Sequence, residues 1–367
     1  MCHRRLASAP RDSSNNSIGN GSGSSGSSGN GNGNSSLPAS SGGDGSAAWH
    51  TVTVTRREAL SPDTQLVHVA LPAATGALLS RRTLPWSVKI RAAVGDAVLD
   101  KSYSPVSLPL EWGHAEKPTV ADLTLLVKRY PPSPGGGLGA YICSRTPGQV
   151  LSLRVKPEVT FHGEPYYPNR WQKLSLVAAG TGIAPLFQLA RGILANPDDQ
   201  TEMALVFCNR RASDVLFRQQ MDRWAAEYPH RFRVQYVLSQ PKTDGTPAEE
   251  EVEQEDDGDG WRRNCDQQMR EHSDLDEKAM EMRANTALGR VTADILGATL
   301  FPPTGSTGGD AGASRHVLVC GQDQFLDTVC GRHVRTHMDG SARRKLQGPL
   351  LGALRALGYA EHEVSKL

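Results

Sequence analysis

The sequence is sparing in cysteine, in aromatic residues and in net charge. Its six cysteines (Cys2, Cys143, Cys208, Cys265, Cys320 and Cys330) are scattered, and no two stand at zinc-ligand spacing. No secretory leader implies an oxidising compartment, so they read as free thiols, and no metal site is expected. Lys and Arg number 40 against 39 Asp and Glu, for a formal charge of +1. Without a global field of one sign, nothing points to nucleic acid as a partner. No apolar run is long enough to cross a bilayer, so no transmembrane segment is expected. Cys2 follows the initiator where N-myristoylation would need glycine. Arg4, Arg5 and Arg11 suit a transit peptide, but the glycine-rich stretch after them cannot sustain the amphipathic helix that import requires. The expectation is a soluble, cytoplasmic monomer, with peripheral membrane association and a mitochondrial location left open.

What is present divides the chain. Residues 1–48 are mostly Ser, Gly and Asn, a composition with nothing to bury, and are expected to form a flexible tail. From Trp49 to about residue 165 the pattern is one of strands and turns. Val and Thr alternate over Thr51–Thr55, and further strands are expected at 64–71, 86–92, 97–103, 121–130 and 150–155. Strands without a long helix imply an antiparallel barrel. Over 166–367 strands and helices alternate, which implies a Rossmann-like parallel sheet covered on both faces. Strands are expected at 174–179, 203–208, 232–238 and 316–320, and helices at 185–195, 214–227, 291–297, 323–336 and 349–357. A charged stretch at about 241–285 reads as an exposed insertion.

Between the apolar run Leu174–Ala179 and the following helix stand Gly180, Thr181, Gly182, Ile183, Ala184 and Pro185. Two glycines let the backbone approach a pyrophosphate, and Pro185 fits a helix first turn whose free N–H groups favour an anion. A plain structural turn of a parallel sheet has the same form. Upstream, Lys101–Ser107 closes a strand with a cation, an aromatic ring and hydroxyls. These suit a flavin nucleotide: the cation faces phosphate, the ring packs along the isoalloxazine, and a hydroxyl bonds near the atom that receives hydride. An ordinary strand end with a proline turn is the other reading.

The order of these motifs over residues 50–367 resembles the NADH-cytochrome b5 reductase family of the ferredoxin reductase superfamily. Its Arg-x-Tyr-Thr/Ser-Pro-x-Ser flavin motif is matched by Lys101, Tyr103, Ser104, Pro105 and Ser107, with lysine for arginine, so the charge survives and the bidentate fork does not. The resemblance puts Lys128 and Tyr130 against FAD. A further family motif, Gly-Gly-Lys-Met-Ser, opens a helix that holds the pyrophosphate. It corresponds to Gly135, Gly136, Gly137, Leu138 and Gly139, where glycines replace the lysine and the serine. A merely flexible loop remains the alternative there. Gly180, Thr181, Gly182 and Pro185 match the motif that lies between flavin and pyridine nucleotide. Asn209 and Asp214 resemble the residues that hold the adenosine half, and Cys320 with Gly321 the Cys-Gly-Pro-Pro border of the nicotinamide pocket, here with Gln322 and Asp323 for the prolines. The resemblance thus implies FAD and NADH as cofactors and places Tyr103, Ser104, Thr181 and Cys320 at the reacting atoms. Hydride would pass to flavin N5, and single electrons to cytochrome b5 or a similar haem carrier. Arg210 and Arg211 keep NADPH open, because arginine after this strand can pair with a 2'-phosphate. A quinone, ferric or other small acceptor, and a scaffold that has lost FAD, are the remaining alternatives.

Overall fold

The computed structural model describes residues 48–108, 120–130, 137–240, 284–305, 312–336 and 344–367. The expected tail, most of the expected insertion, and Gly135 and Gly136 lie outside the described residues.

The first half is a six-stranded antiparallel sheet built from β1 (His50–Ser61), β2 (Thr64–Ala70), β3 (Val88–Val94), β4 (Ala97–Tyr103), β5 (Asp122–Lys128) and β6 (Val150–Val155), in the order β4-β3-β6-β1-β2-β5. Strand alternation explains the faces: Val52 and Val54 of β1 are buried while Thr51 and Thr53 are exposed, the two-residue period of a pleated strand with one dry side. The sheet then returns on itself. Past β4, Pro105 bridges Leu125 of β5, Val106 N–H donates to the Thr124 carbonyl at 2.8 Å, and the Ser107 hydroxyl accepts from Thr124 N–H at 2.9 Å. This seam joins the two edge strands and gives the expected barrel. Two short helices, α1 (Ala73–Ser80) and α2 (Leu138–Ser144), accompany it.

A two-stranded hairpin of β7 (Thr160–Phe161) and β8 (Glu164–Pro165) leads into the second half. Here β9 (Lys173–Ala179), β10 (Glu202–Asn209), β11 (Phe232–Leu238), β12 (Thr286–Leu288), β13 (Arg315–Cys320) and β16 (Val364–Lys366) form a wholly parallel sheet, ordered β12-β11-β10-β9-β13-β16. Met203–Phe207 of β10 are all buried, as expected for a strand covered on both faces. Helices α3 (Ile183–Ala195) and α4 (Arg218–Glu227) follow β9 and β10. Later come α5 (Ala293–Thr299), α6 (Asp323–Val329), a hairpin of β14 (Val334–Thr336) and β15 (Arg344–Leu346), and α7 (Gly352–Ala356). Among the described residues no helix is long and apolar enough to cross a membrane.

Three expected helices are shorter than the sequence pattern implies, and the one expected over 349–357 spans only Gly352–Ala356. The one expected over 323–336 ends at Val329, because Gly331 takes a φ of 78° and the chain turns into β14. The one expected over 214–227 starts at Arg218, after Phe217 adopts a φ of 56°.

Helix α3 links the halves. Eleven of its thirteen residues are buried, so it is covered on nearly every side and not only along one stripe. Its Gln188 side chain accepts from Trp86 N–H, and Arg191 donates to the Val106 carbonyl at 3.4 Å, both in the barrel half. The main apolar cluster runs without a break from Val52 and Trp86 through Leu186 and Phe187 to Phe207 and Tyr236.

At the amino end of β13, His316 is buried with its ring stacked on Trp171 (centroids 4.5 Å apart, planes 6° apart) and Nε2 2.8 Å from Ser365 Oγ. Burial, reinforced by His162, Arg170 and His362, holds its pKa down to about 3. The unfolded chain therefore takes up this proton before the folded one does. The stability that His316 contributes is complete above about pH 6.5 and is lost as pH falls toward the folded value. In His316→Phe, urea unfolding between pH 6 and 4 should show a stability loss shallower by about 1.4 kcal/mol per pH unit. An unchanged slope would mean that the ring is not held neutral.

Candidate functional site

The parallel sheet starts in its middle at β9, runs outward through β10, β11 and β12, and then returns to β13 on the other side. A crevice opens at the carboxyl ends of strands where the order reverses, the usual ligand site of such sheets. There a cleft of about 1310 Å3 is walled on one side by the barrel and on the other by the loops after β9, β10 and β13.

From the barrel come Lys101, Tyr103 and Ser104 at the end of β4, Lys128 and Tyr130 at the end of β5, and Gly139 in α2. From the parallel sheet come Gly180, Thr181, Gly182 and Pro185 after β9, Asn209 and Asp214 after β10, and Cys320 and Gly321 after β13. Tyr103 and Thr181, far apart in sequence, thus line one cleft. Three expected site residues do not line it. Pro105 is buried in the barrel seam, Leu138 is buried in the core, and Gly137 caps α2.

Two glycines have steric reasons to be glycine. A Cβ on Gly182 would lie 2.4 Å from the Cys320 carbonyl oxygen and 2.9 Å from Gly321 Cα, so the turn after β9 and the loop after β13 meet backbone to backbone. A Cβ on Gly139 would lie 2.4 Å from the Lys128 carbonyl oxygen. The glycine that stands where a serine was expected is therefore required by the close approach of α2 to β5.

The charges of the cleft are unevenly committed. Lys128 Nζ pairs with Asp63 Oδ2 at 2.6 Å. Burial opposes ionisation of Asp63, but hydrogen bonds from Lys128, Thr64 and Ser61 outweigh it and hold its pKa below the usual carboxylate value. Lys101 and Arg129 have neither a side-chain hydrogen bond nor an ion pair among the described residues, which leaves two cations on the barrel wall for an anionic ligand. Burial raises the Tyr103 pKa further above its ordinary value, so its hydroxyl remains protonated. Asn209 is buried, and neither its Oδ1 nor its Nδ2 has a hydrogen-bond partner. An amide buried without partners is costly unless a ligand supplies both a donor and an acceptor. Two such cations, an aromatic ring, an unsatisfied amide and a turn open to close backbone approach together fit a flavin and a pyridine nucleotide.

The sequence reading missed several lining residues: Asp63 in the β1–β2 turn, Arg129 after β5, Ser239 and Gln240 after β11, Arg290 after β12, and Lys366. The strand-end rule signals the residues after β11. Strand β12 has only three residues and carries no pattern of its own. Lys366 is buried, with Nζ bonded to the Gly348 and Pro349 carbonyls at 3.2 and 2.8 Å. Burial depresses its pKa.

Residues 176–256 match the family model described as an oxidoreductase NAD-binding domain. The chain is 30% identical over 285 residues to NADH-cytochrome b5 reductase 2 of Chaetomium globosum, covering 74% of this chain and 62% of that protein. It is 33% identical over 153 residues to NADH-cytochrome b5 reductase 1 of Scheffersomyces stipitis, covering 42% of this chain and 49% of that one. Against nitrate reductase [NADH] 1 of Oryza sativa it is 34% identical over 204 residues, 51% of this chain and 21% of that protein. The chain thus spans from about a fifth to about three fifths of the length of these curated relatives. The fold is shared with the cytochrome b5 reductase domain of Ulva prolifera nitrate reductase, with a TM-score of 0.57 at 16% identity over 87% of this chain and 97% of that domain. The chain is thus similar in sequence to NADH-cytochrome b5 reductases, carries an oxidoreductase NAD-binding domain, and shares its fold with a cytochrome b5 reductase domain.

Proposed function

We propose that this chain is an FAD-dependent NADH oxidoreductase that delivers electrons singly to cytochrome b5 or a similar haem protein. The observation that carries this reading is the shared cleft, in which Tyr103 from the barrel and Thr181 and Cys320 from the parallel sheet line one space. FAD, when bound, supplies the conversion between a two-electron donor and a one-electron acceptor.

The chain's own residues bind and align. Lys101 would face the phosphates or the flavin ring, Tyr103 would offer its ring face, and Ser104 would offer a hydroxyl on the same strand end. On the opposite wall Gly180 and Gly182 keep the turn low, so a second flat heterocycle can enter above Thr181. Cys320 borders that space with a small polarizable side chain, and the Asn209 amide supplies a donor and an acceptor to the adenosine end. Lys128, neutralised by Asp63, shapes the barrel wall and adds little free charge. No side chain needs to move a proton in this scheme. The protein's contribution is to set the distance and angle between two rings.

Purified protein should be yellow and should reduce ferricyanide with NADH. Cytochrome b5 added as acceptor should be reduced as well, and turnover with ferricyanide alone would move the acceptor to a small molecule. Tyr103→Ala should lose about two- to twelvefold in flavin affinity, since an aromatic contact contributes on the order of 0.5–1.5 kcal/mol. Flavin absorbance after gel filtration measures this, and full retention with unchanged turnover would remove Tyr103 from the site. Gly182→Ala forces the two loops apart at a cost of about 1–3 kcal/mol. It should raise the KM for NADH well before it releases flavin. Equal loss of both, or loss of neither, would contradict the placement of the turn beside the pyridine nucleotide.

A further inference from the structure

We infer that Gln347 is a positioning residue for the reacting end of the cleft: its side-chain amide stands in for a missing strand on the free edge of β16 and, through Lys366 and Leu367, fixes the surroundings of the Cys320 thiol. The inference rests on the reductase reading only in taking Cys320 to border the nicotinamide.

Strand β16 has three residues and is the last of its sheet, with β13 on one side. Val364, Ser365 and Lys366 stand in register with Val317, Leu318 and Val319, and just past the strand Leu367 N–H donates to the Val319 carbonyl at 2.9 Å. Successive residues of a strand turn their N–H and C=O groups to opposite sides, so those of Lys366 point away from β13. On an open edge both would be left to water or to another chain. Here Gln347 takes both. Its Oε1 accepts from Lys366 N–H at 2.7 Å, and its Nε2 donates to the Lys366 carbonyl at 2.9 Å. These are the two bonds that a residue of a neighbouring antiparallel strand would exchange.

The backbone that carries Gln347 is itself fixed. The next residue, Gly348, has a φ of 69°, and a Cβ there would lie 2.6 Å from the Arg332 carbonyl oxygen, so this segment is packed against the start of the β14–β15 hairpin. Lys366 is gripped from further directions as well: its Nζ donates to the Gly348 and Pro349 carbonyls, and His333 Nε2 lies 3.3 Å from its carbonyl oxygen. What Lys366 holds is its neighbour. Leu367 lines the cleft, and its carbonyl oxygen is 3.8 Å from Cys320 Sγ, within reach of a thiol donor. On its other side the Cys320 backbone meets Gly182. Cys320 therefore sits between the turn after β9 and the end of β16. If β16 frays, only the first of these two walls remains. Hydride transfer depends on ring placement to a fraction of an ångström, so a loosened border slows that step without touching the adenosine end.

The test uses the full chain with Gln347→Met, which keeps the length and removes both polar atoms, and Gln347→Glu, which keeps the acceptor and replaces the donor with a second oxygen. Iodoacetamide labelling of Cys320, read by mass spectrometry of its peptide, should be at least about threefold faster in both variants. Flavin reduction by NADH in stopped flow should slow by at least about threefold, while flavin content and the affinity for ADP-ribose, which lacks nicotinamide, stay as in the unsubstituted protein. Unchanged labelling, faster labelling with unchanged flavin reduction, a loss in Gln347→Met alone, or an equal loss of rate, flavin and ADP-ribose affinity each overturns the positioning role and leaves the reductase reading standing. Faster labelling in a protein that binds no flavin overturns the reductase reading and keeps Gln347 as the residue that holds the end of β16 against Cys320.

Discussion

The position of α3 governs the rest of the molecule. A helix buried on nearly all sides cannot slide without opening the core on both of its flanks, and α3 is packed between the barrel and the parallel sheet. Its body is fixed by apolar contact and by two side chains that reach the barrel, Gln188 to Trp86 and Arg191 to Val106. Its first residues carry the turn after β9. The turn and the barrel wall are therefore held at a set separation by the same packing that stabilises the core. Val106 extends the coupling, because its backbone also belongs to the seam that closes the barrel beside Tyr103.

The chemistry of the cleft follows from which charges are spent on structure. Lys128 and Asp63 neutralise each other, Asp214 fastens its own turn, and Lys366 is anchored to two carbonyls beneath β13. Lys101 and Arg129 on the barrel side, Arg290 after β12, and the amide of Asn209 line the same cleft without such partners among the described residues. A catalytic acid or base would need a titratable group buried beside the reacting atoms and tuned to neutral pH. On the proposed reading the groups here would bind and orient, and the chemistry would come from a bound ring system.

Much of this was legible in the sequence because the physical signals were local. Alternation at Thr51–Thr55 gave a half-buried strand, and the largely apolar stretch Leu174–Ala179, broken only by Ser175, gave one covered on both faces. The turn at Gly180–Pro185 could be read because glycine and proline each have one strong conformational reason to be there. What escaped was set by distant parts of the chain. Pro105 matched a flavin motif yet closes the barrel, since its place is decided by Leu125 on another strand. The strand Val364–Lys366 has only three residues and exists because β13 offers it an edge. Asp63 and Arg290 belong to no pattern, and only the sheet topology brings them to the cleft.

The departures from the motifs that the chain otherwise resembles have a common physical sense. Gly139 stands where a serine would add a side-chain contact, but α2 approaches the Lys128 carbonyl so closely that no Cβ fits, and the tighter packing of α2 on β5 takes the place of that contact. Gln322 and Asp323 stand where two prolines would stiffen the loop after β13. Instead Asp323 opens α6, with its carboxylate in the first turn where the helix dipole favours it. Gln322 Nε2 lies 3.4 Å from the Tyr130 hydroxyl and links the loop to the barrel across the cleft. A loop stiffened by proline is rigid in itself. This one is held by its partners, by Gly182 on one side and Tyr130 on the other, so its geometry depends on the two halves remaining packed around α3.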